Sequence, residues 1–200
     1  PDPVRRFGEY PHQLSGGMRQ RAMIAMALIC EPELLIADEP TTAVDITIQA
    51  QLLELLHDLN AQRDTAILFI SHDIGVIAEM CREVVVMYAG QVIERASADE
   101  LLERPAHPYT SGLLWAVPRI GLGTEELYAI KGRVPVPSAM PSGCRFHPRC
   151  DFATASCASN HQTLTSLEQP GRAVRCERTH ELQLAGVPET SDTAPTGGIR

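Results

Sequence analysis

Three short polar groups in the first 72 residues have the side chains that phosphate chemistry requires. Ser15, Gly16 and Gly17 lie at the start of a predicted helix. A hydroxyl, unhindered backbone N–H groups and the positive end of a helix dipole suit a bound phosphate. A serine-capped glycine-rich turn uses the same residues. Taken alone, Ser15, Gly16 and Gly17 therefore favour a capped turn over a phosphate site.

The other two groups each follow a short apolar run. Asp38 and Glu39 come after residues 34–37, and His72 comes after residues 65–70. Asp38 could hold Mg²⁺ through water, and Glu39 could orient or deprotonate an attacking water, which is how phosphoryl transfer divides its work. His72 could donate to a γ-phosphate. Adjacent acids at a strand end are often only solvated and a lone histidine is often structural, so neither signal is specific alone.

The elements that position these groups follow an α/β order. The sequence predicts a helix from Ser15, a strand over 34–37, a helix capped by Asp45, a strand over 65–70, a helix over 74–80 and a hairpin over 84–94. This order implies a mostly parallel sheet, with strands buried on both faces and functional residues at their carboxyl ends.

Together and in this order, the motifs resemble the nucleotide-binding domain of ABC transporters, a P-loop NTPase (ABC ATPase) core of the α/β class. The resemblance rests on a signature stretch at 10–21, a Walker B run at 34–40, a D-loop at 41–45 and a switch histidine at His72. It implies ATP and Mg²⁺ as cofactors, and a head-to-tail dimer in which each ATP lies between one subunit's Walker A and the other's signature.

The resemblance also assigns roles to single residues. Ser15, Gly16, Gly17 and Gln20 belong to the signature, which would contact the nucleotide held by the partner subunit. Asp38, Glu39 and His72 would serve the subunit's own nucleotide, with Glu39 and His72 catalytic and Asp38 on Mg²⁺. Asp45 would communicate across the interface.

A Walker A loop, Gly-x-x-x-x-Gly-Lys-Ser/Thr, is missing from the sequence, whose single lysine is Lys131. The family's glutamine loop and adenine-stacking aromatic, which precede the signature, are missing too. We therefore expect a C-terminal fragment of a longer ATPase, cut just before its signature. We expect the fragment alone to be inactive, because half of each site is gone.

Further residues resemble one subfamily, the ATPases of dipeptide and oligopeptide importers. They are residues 10–13, residues 18–28 and the run His107-Pro108-Tyr109-Thr110, followed by a cysteine-rich segment. The resemblance implies a second ATPase subunit, transmembrane permease subunits and, indirectly, a solute-binding protein as partners. It also implies a peripheral position on the cytoplasmic face of the membrane.

Three alternatives stay open at this point. They are an importer for nickel or another small solute, a soluble ABC ATPase of DNA repair or translation, and a regulatory fragment that senses redox state. With 17 basic against 25 acidic side chains, the formal charge is −8, which argues against nucleic acid as the main partner. The charge and the run from His107 to Thr110 favour import.

Four of the six cysteines, Cys144, Cys150, Cys157 and Cys176, are separated by 5, 6 and 18 residues. No secretory signal is present, so metal ligation is favoured over disulfides. The close cysteine pair of structural zinc sites is absent, whereas an iron–sulfur cluster tolerates wide spacing. The subfamily resemblance also implies a 4Fe-4S cluster, with a structural or redox-regulating role. Zinc, with His147 or His161 as a substitute ligand, and free or disulfide-linked thiols are the alternatives.

The predicted organisation has three parts. Residues 1–104 form the distal half of the nucleotide-binding domain, residues 105–180 form the cysteine-rich, loop-rich extension, and residues 181–200 form a disordered tail rich in Glu, Thr, Ser, Pro and Gly. Cys30 and Cys81 lie on apolar helical patterns and are expected to be buried.

Overall fold

The computed structural model describes residues 3–42, 45–63, 65–117 and 128–187. It divides into two compact units, Pro1–Met80 and Cys81–Arg200. Within the described residues, no helix is both long enough and apolar enough to cross a bilayer.

The first unit combines helices with one parallel pair of strands. Its elements are α1 (Pro3–Phe7), a 3₁₀ turn (Pro11–Gln13), α2 (Gly16–Leu28), β1 (Leu34–Asp38), α3 (Ile46–Arg63), β2 (Ala66–Ile70) and α4 (Ile74–Met80). Strands β1 and β2 pair in parallel from Leu34 opposite Ala66 to Asp38 opposite Ile70. The predicted α/β order and the parallel pairing are therefore confirmed for this unit.

Helix α3 contributes much of the core of the first unit. Leu52, Leu53 and Leu56 are buried, and Leu56 is only 1% exposed. Leu56 follows Leu52 and Leu53 by four and three residues, so the three side chains lie on one face of the helix. The apolar periodicity predicted this helix correctly.

The prediction that β1 and β2 are buried on both faces is wrong. Leu34, Ile36, Leu68 and Ile70 are exposed, and Ile36 keeps 60% of its surface. Side chains alternate across a strand, and within the described residues only one face of this two-stranded sheet is covered. Cys30 is also exposed rather than buried, because none of the residues of α2, which ends two positions before it, is buried. Cys81 is partly buried.

The second unit is organised around an antiparallel sheet. Its elements are β3 (Glu83–Tyr88), β4 (Gln91–Ser97), α5 (Ala98–Glu103), α6 (Pro108–Trp115), 3₁₀ turns at Pro137–Ala139 and His147–Arg149, α7 (Ala155–Ser159), β5 (Thr165–Ser166) and β6 (Ala173–Val174). The strand order is β3-β4-β6-β5. The predicted hairpin is present and shares its sheet with β6, a strand of the predicted extension.

Aromatic rings form the core beside this sheet. Tyr88 and Phe146 are buried, with ring centroids 5.2 Å apart in an edge-to-face arrangement, and Tyr109 lies 5.3 Å from Phe146. Such arrangements are the favoured geometry for aromatic pairs. The cluster fixes the segment around Phe146 against the hairpin.

Of the predicted tail, residues 188–200 lie outside the described residues. The residues just before them pack against α5 and α6. The Val187 N–H donates to the Leu102 carbonyl at 2.7 Å, and the Ser111 hydroxyl donates to the Ala185 carbonyl at 2.6 Å.

Candidate functional site

The carboxyl ends of β1 and β2 bring two of the predicted catalytic side chains into contact. Because Asp38 is opposite Ile70 in the parallel register, the residues that follow both strands meet at one edge. His72 Nδ1 lies 2.8 Å from Glu39 Oε2 and 2.9 Å from Oε1. Thr42 Oγ1 donates to Glu39 Oε2 at 2.9 Å. Asp38 is the last residue of β1 and its side chain is exposed at this edge.

The backbone of Glu39 takes a conformation that few non-glycine residues adopt. Its φ is 49°, in the left-handed region. Its N–H donates to the Ile70 carbonyl at 2.9 Å, which continues the pairing of the two strands by one residue. Glu39 is therefore fixed beside β2 by its backbone and by Thr42 and His72 through its carboxylate.

The contact between Glu39 and His72 shifts both pKa values. The hydrogen bond from His72, followed by that from Thr42, lowers the pKa of Glu39. The hydrogen bond and the negative charge of Glu39 raise the pKa of His72. The Glu39 side chain is 37% exposed and the His72 side chain is 79% exposed, so water screens the pair. The arrangement keeps Glu39 ionised, which is the form that can accept a proton or orient a water.

Ser15 caps α2, as the simpler interpretation of the signature predicts. Its Oγ accepts from the Met18 N–H at 3.4 Å, and its carbonyl accepts from the Arg19 N–H at 3.0 Å. A Cβ on Gly16 would meet nothing within 4 Å, whereas one on Gly17 would lie 3.0 Å from Ile48 Cγ2. The start of α2 is therefore close to the first turn of α3.

Asp45 caps α3 by accepting from the Ile48 N–H at 2.9 Å. The close approach of Gly17 to Ile48 places the signature beside the helix that Asp45 begins. Gln20 is partly buried on α2. Among the described residues, no hydrogen bond joins the signature residues or Asp45 to Glu39 or His72. Ala43 and Val44 of the predicted D-loop lie outside the described residues.

The four clustered cysteines line one cavity in the second unit. The cavity measures about 20 Å³, and Cys144, Cys150, Cys157 and Cys176 all contribute to its wall. All four are free thiols. No group of three or more His, Cys, Asp or Glu side chains in the described part of the chain is arranged to hold a metal ion.

Burial dominates the acid–base behaviour of three of these thiols, those of Cys144, Cys150 and Cys176. It raises the pKa of Cys150 to about 12 and that of Cys176 to about 11, and it raises the pKa of Cys144. Backbone N–H groups oppose part of this effect, those of Phe146 and His147 at Cys144 and that of Phe152 at Cys150. Buried protonated thiols are poor nucleophiles. A bound cation would be needed to deprotonate them.

Two cysteine-bearing segments are held together backbone to backbone. The Cys144 N–H donates to the Cys157 carbonyl at 2.8 Å, and Ser142 Oγ donates to the Ala158 carbonyl at 2.7 Å. A Cβ on Gly143 would lie only 2.3 Å from the Cys157 carbonyl oxygen, and Gly143 has a φ of 63°. Glycine is therefore required at this position both by space and by backbone conformation.

Of the two histidines named for the zinc alternative, only His147 lines the cavity. His147 Nδ1 lies 2.8 Å from the Cys144 carbonyl oxygen, which can only accept, so Nδ1 carries the proton. This leaves Nε2 as the nitrogen that could bind a metal, the pattern of a metal-ligating histidine held by a backbone carbonyl. His161 is not part of the cavity wall.

His107 also lines the cavity. From the sequence it was named only as part of the run that resembles peptide importers. It is 1% exposed, and its Nδ1 accepts from the Tyr109 N–H at 3.0 Å at the start of α6. Burial lowers the pKa of His107 to about 3, so the ring is neutral. A histidine followed by proline is a sequence signal for a helix N-cap, but nothing in the sequence places its ring beside the cysteines.

Glu94 is a second residue that the sequence did not indicate. It is fully buried on β4, where Oε1 accepts from the Ala106 N–H at 2.6 Å and Oε2 from the His107 N–H at 2.9 Å. Burial raises the pKa of Glu94, and its two backbone hydrogen bonds and the charge of Arg172 oppose that effect. Glu94 thereby fixes residues 106 and 107 against the sheet.

Comparison with known families agrees with this geometry. Residues 2–42 match the model of the ABC transporter family, and residues 93–157 match that of the oligopeptide/dipeptide transporter C-terminal region. Both matches confirm the resemblance predicted from the motifs, the first to the ABC transporter family and the second to the oligopeptide/dipeptide transporters.

Individual peptide transport proteins are also similar to this chain. The chain is 56% identical over 168 residues to the oligopeptide transport ATP-binding protein AppD of Bacillus subtilis, covering 84% of this chain and 51% of AppD. It is 53% identical over 182 residues to "Probable peptide ABC transporter ATP-binding protein y4tR" of Sinorhizobium fredii, covering 90% of this chain and 54% of that protein. The chain thus spans about half the length of the curated relatives it matches.

Solved structures are matched over shorter stretches. One is the dimeric bacterial ABC transporter cassette MJ0796, at 33% identity with a TM-score of 0.42. That match covers 45% of this chain and 38% of the cassette.

Proposed function

We propose that this chain carries the signature and the C-terminal region of an ATP-binding subunit that hydrolyses ATP to energise the import of dipeptides or oligopeptides. The observation that carries the proposal is the Glu39–His72 contact, which lies directly after Asp38 at the carboxyl edge of two parallel strands. The relatives AppD and y4tR are named as peptide transport ATP-binding proteins, which supports the choice of solute.

The residues divide the work as phosphoryl transfer requires. Glu39, held ionised by His72 and Thr42, orients the attacking water and accepts its proton. Asp38 supplies an exposed carboxylate for Mg²⁺ through water. When bound, Mg²⁺ neutralises charge on the phosphate oxygens. His72 is available to contact the γ-phosphate, because 79% of its side chain is exposed.

The signature group acts on a nucleotide held by a second subunit. Ser15 orders the first turn of α2, and Gly16 leaves open space at the helix start, where a phosphate would be favoured by the dipole. Gly17 and Gln20 belong to the same signature group and would contact the same nucleotide. Asp45, at the start of the neighbouring α3, communicates between the two sites.

The proposal also covers the domain boundaries of the chain and the subunits that it contacts. Residues 1–104 belong to the nucleotide-binding domain and residues 105–180 to the importer extension. The subunit pairs head to tail with a second ATPase subunit, contacts transmembrane permease subunits at the cytoplasmic face of the membrane, and depends indirectly on a solute-binding protein. The P-loop core is completed by a Walker A that this sequence does not contain.

Complementation of peptide uptake tests the proposal. The chain is joined to the part of AppD that it does not match and expressed in a Bacillus subtilis strain that lacks AppD. We expect oligopeptide uptake to be restored by the joined protein and abolished by Glu39→Gln. Glu54→Gln, the same change at an exposed position of α3, should leave uptake intact. Equal uptake in the two variants would contradict the role of Glu39.

We further propose that Cys144, Cys150, Cys157 and Cys176 hold a 4Fe-4S cluster, with zinc as the alternative. Two features support it: the four thiols share one cavity, and backbone N–H groups approach the sulfurs. A thiolate-held cluster is anionic, and Arg178 lies in the wall. When bound, the cluster supplies a cross-link between the cysteine-bearing segments and a one-electron redox centre.

Metal analysis after anaerobic purification tests this second proposal. We expect visible absorption of an iron–sulfur centre with iron and sulfide in equal amounts, and loss of both in Cys150→Ser. Cys30→Ser, at an exposed cysteine of the first unit, is the matched control and should retain them. Stoichiometric zinc without sulfide would overturn the cluster.

A further inference from the structure

We propose that Thr42 positions Glu39 for hydrolysis: its hydroxyl donates to carboxylate oxygen Oε2 and so leaves Oε1 to accept the proton of the attacking water. This inference rests on the proposed function, in which Glu39 is the general base. It assigns a role to a side chain that the family resemblance named only as part of the D-loop at 41–45.

Thr42 reaches Glu39 because a turn closes directly after β1. The Thr42 N–H donates to the Glu39 carbonyl at 3.1 Å. Pro40 is the second residue of this turn, a position that proline favours because its φ is fixed. In the same turn, Thr42 Oγ1 donates to Glu39 Oε2 at 2.9 Å. Because the backbone already holds the two residues together, their side chains meet with little loss of conformational freedom.

The side-chain partners of the Glu39 carboxylate are divided unequally between its two oxygens. Oε2 accepts from Thr42 Oγ1 at 2.9 Å and lies 2.8 Å from His72 Nδ1, so both of its lone pairs are engaged. Oε1 lies 2.9 Å from the same His72 nitrogen, and no other side chain in the described part of the chain donates to it. Oε1 is therefore the oxygen at which a lone pair can accept from a water.

His72 by itself does not distinguish the two oxygens. Its Nδ1 is almost equally far from both, at 2.9 Å from Oε1 and 2.8 Å from Oε2. Thr42, by contrast, contacts only Oε2. The difference between the oxygens therefore comes from Thr42, whose hydroxyl also keeps its hold on the carboxylate when the exposed His72 ring turns toward a γ-phosphate.

This division fits the chemistry of the proposed reaction. A proton of the attacking water passes to Glu39 Oε1, the water oxygen bonds to the γ-phosphorus, and ADP leaves with the electron pair of the broken P–O bond. Poor alignment of the base slows this step without weakening the binding of ATP. Thr42 acts through Glu39 and does not touch the reacting atoms, so it is a positioning residue.

ATP hydrolysis by the chain joined to the part of AppD that it does not match tests this role. Thr42→Val keeps the shape of the side chain but removes the donor, whereas Thr42→Ser keeps the hydroxyl. We expect Thr42→Val to lower kcat about three- to tenfold, the effect of losing one hydrogen bond, with KM for ATP unchanged. Thr42→Ser should keep most of the wild-type kcat. Thr163→Val, at an exposed threonine of the second unit, is the control and should match the wild type.

The outcomes separate this inference from the proposed function. If the joined wild type hydrolyses ATP, an unchanged kcat in Thr42→Val would refute the role of Thr42 alone. A kcat lowered equally in Thr42→Val and Thr42→Ser would also refute it, because the hydroxyl would then make no difference. A joined wild type without turnover would refute the proposed function and this inference together.

A second measurement needs no ATP. In the 200-residue chain, NMR carbon relaxation of the Glu39 side chain reports how firmly that side chain is held. His72→Ala removes its other side-chain partner. We expect Glu39 to be more mobile when His72→Ala is combined with Thr42→Val than when it is combined with Thr42→Ser. Equal mobility would refute the contact with Thr42, whatever the ATPase activity of the joined protein.

Discussion

Replacing Gly143 with alanine should destabilise the second unit much more than the same replacement at Gly171. Both glycines have left-handed backbones, with φ of 63° and 80° respectively. They differ in their surroundings. A Cβ at Gly171 would meet nothing within 4 Å, whereas a Cβ at Gly143 would lie 2.3 Å from the Cys157 carbonyl oxygen and 2.8 Å from two backbone atoms of Ala158.

The expected loss of stability is the sum of a backbone cost and a steric cost. The left-handed conformation costs an alanine about 1–2 kcal/mol at either position. Gly143→Ala adds a steric cost, because the atoms it meets belong to the backbone and cannot rotate away, and overpacking of this kind costs about 1–3 kcal/mol. The free energy of unfolding should therefore fall by about 2–5 kcal/mol in Gly143→Ala and by about 1–2 kcal/mol in Gly171→Ala.

Urea unfolding followed by tryptophan fluorescence measures the difference. The chain has a single tryptophan, Trp115, which is 9% exposed on α6, so its signal reports on the second unit. With a slope of about 2 kcal/mol per molar urea, an extra 2 kcal/mol moves the midpoint by about 1 M. Equal midpoints for Gly143→Ala and Gly171→Ala would refute the reasoning, since they would show that the backbones at 143 and 157 are not in contact.

Two other predictions concern single contacts. The pKa of His72, measured by NMR titration, should lie above 6.5 and fall toward that value in Glu39→Gln, because Glu39 raises it. The ion pair then forms only between the lowered pKa of Glu39 and the raised pKa of His72, and an unchanged His72 titration would contradict it. Ser97→Ala removes the N-cap of α5, whose capping box pairs Ser97 with Glu100, and should cost about 1 kcal/mol in urea unfolding. Ser138→Ala, on an exposed turn, is the control, and equal stability of the two variants would rule out the capping role.

Much of the element order could be predicted because it depends on local patterns. The helix after Ser15, the apolar run before Asp38 and the leucines of α3 all signal structure through residue type and spacing. The placement of Asp38, Glu39 and His72 at the carboxyl ends of the strands followed from the α/β order, whereas the contact between Glu39 and His72 was not predicted. These features involve neighbouring positions or two adjacent strands.

The features that were missed depend on distant partners. A continuous apolar run has the same composition whether both faces of its strand are covered or one, so the exposure of Ile36 was not predictable. Strand β6 is two residues long and pairs with β4 across almost 80 positions, which no periodicity reveals. Burial keeps the His107 ring neutral, and the Phe146 ring that it contacts lies far from it in the sequence.

ATP hydrolysis by the purified chain, alone and joined to the part of AppD that it does not match, tests whether Asp38, Glu39 and His72 need a Walker A. We expect no turnover by the chain alone and measurable turnover by the joined protein. Glu39→Gln should lower that turnover by about 10²–10⁴-fold. Turnover by the chain alone that Glu39→Gln abolishes would contradict this expectation, because it would show that Asp38, Glu39 and His72 form a complete site without a Walker A.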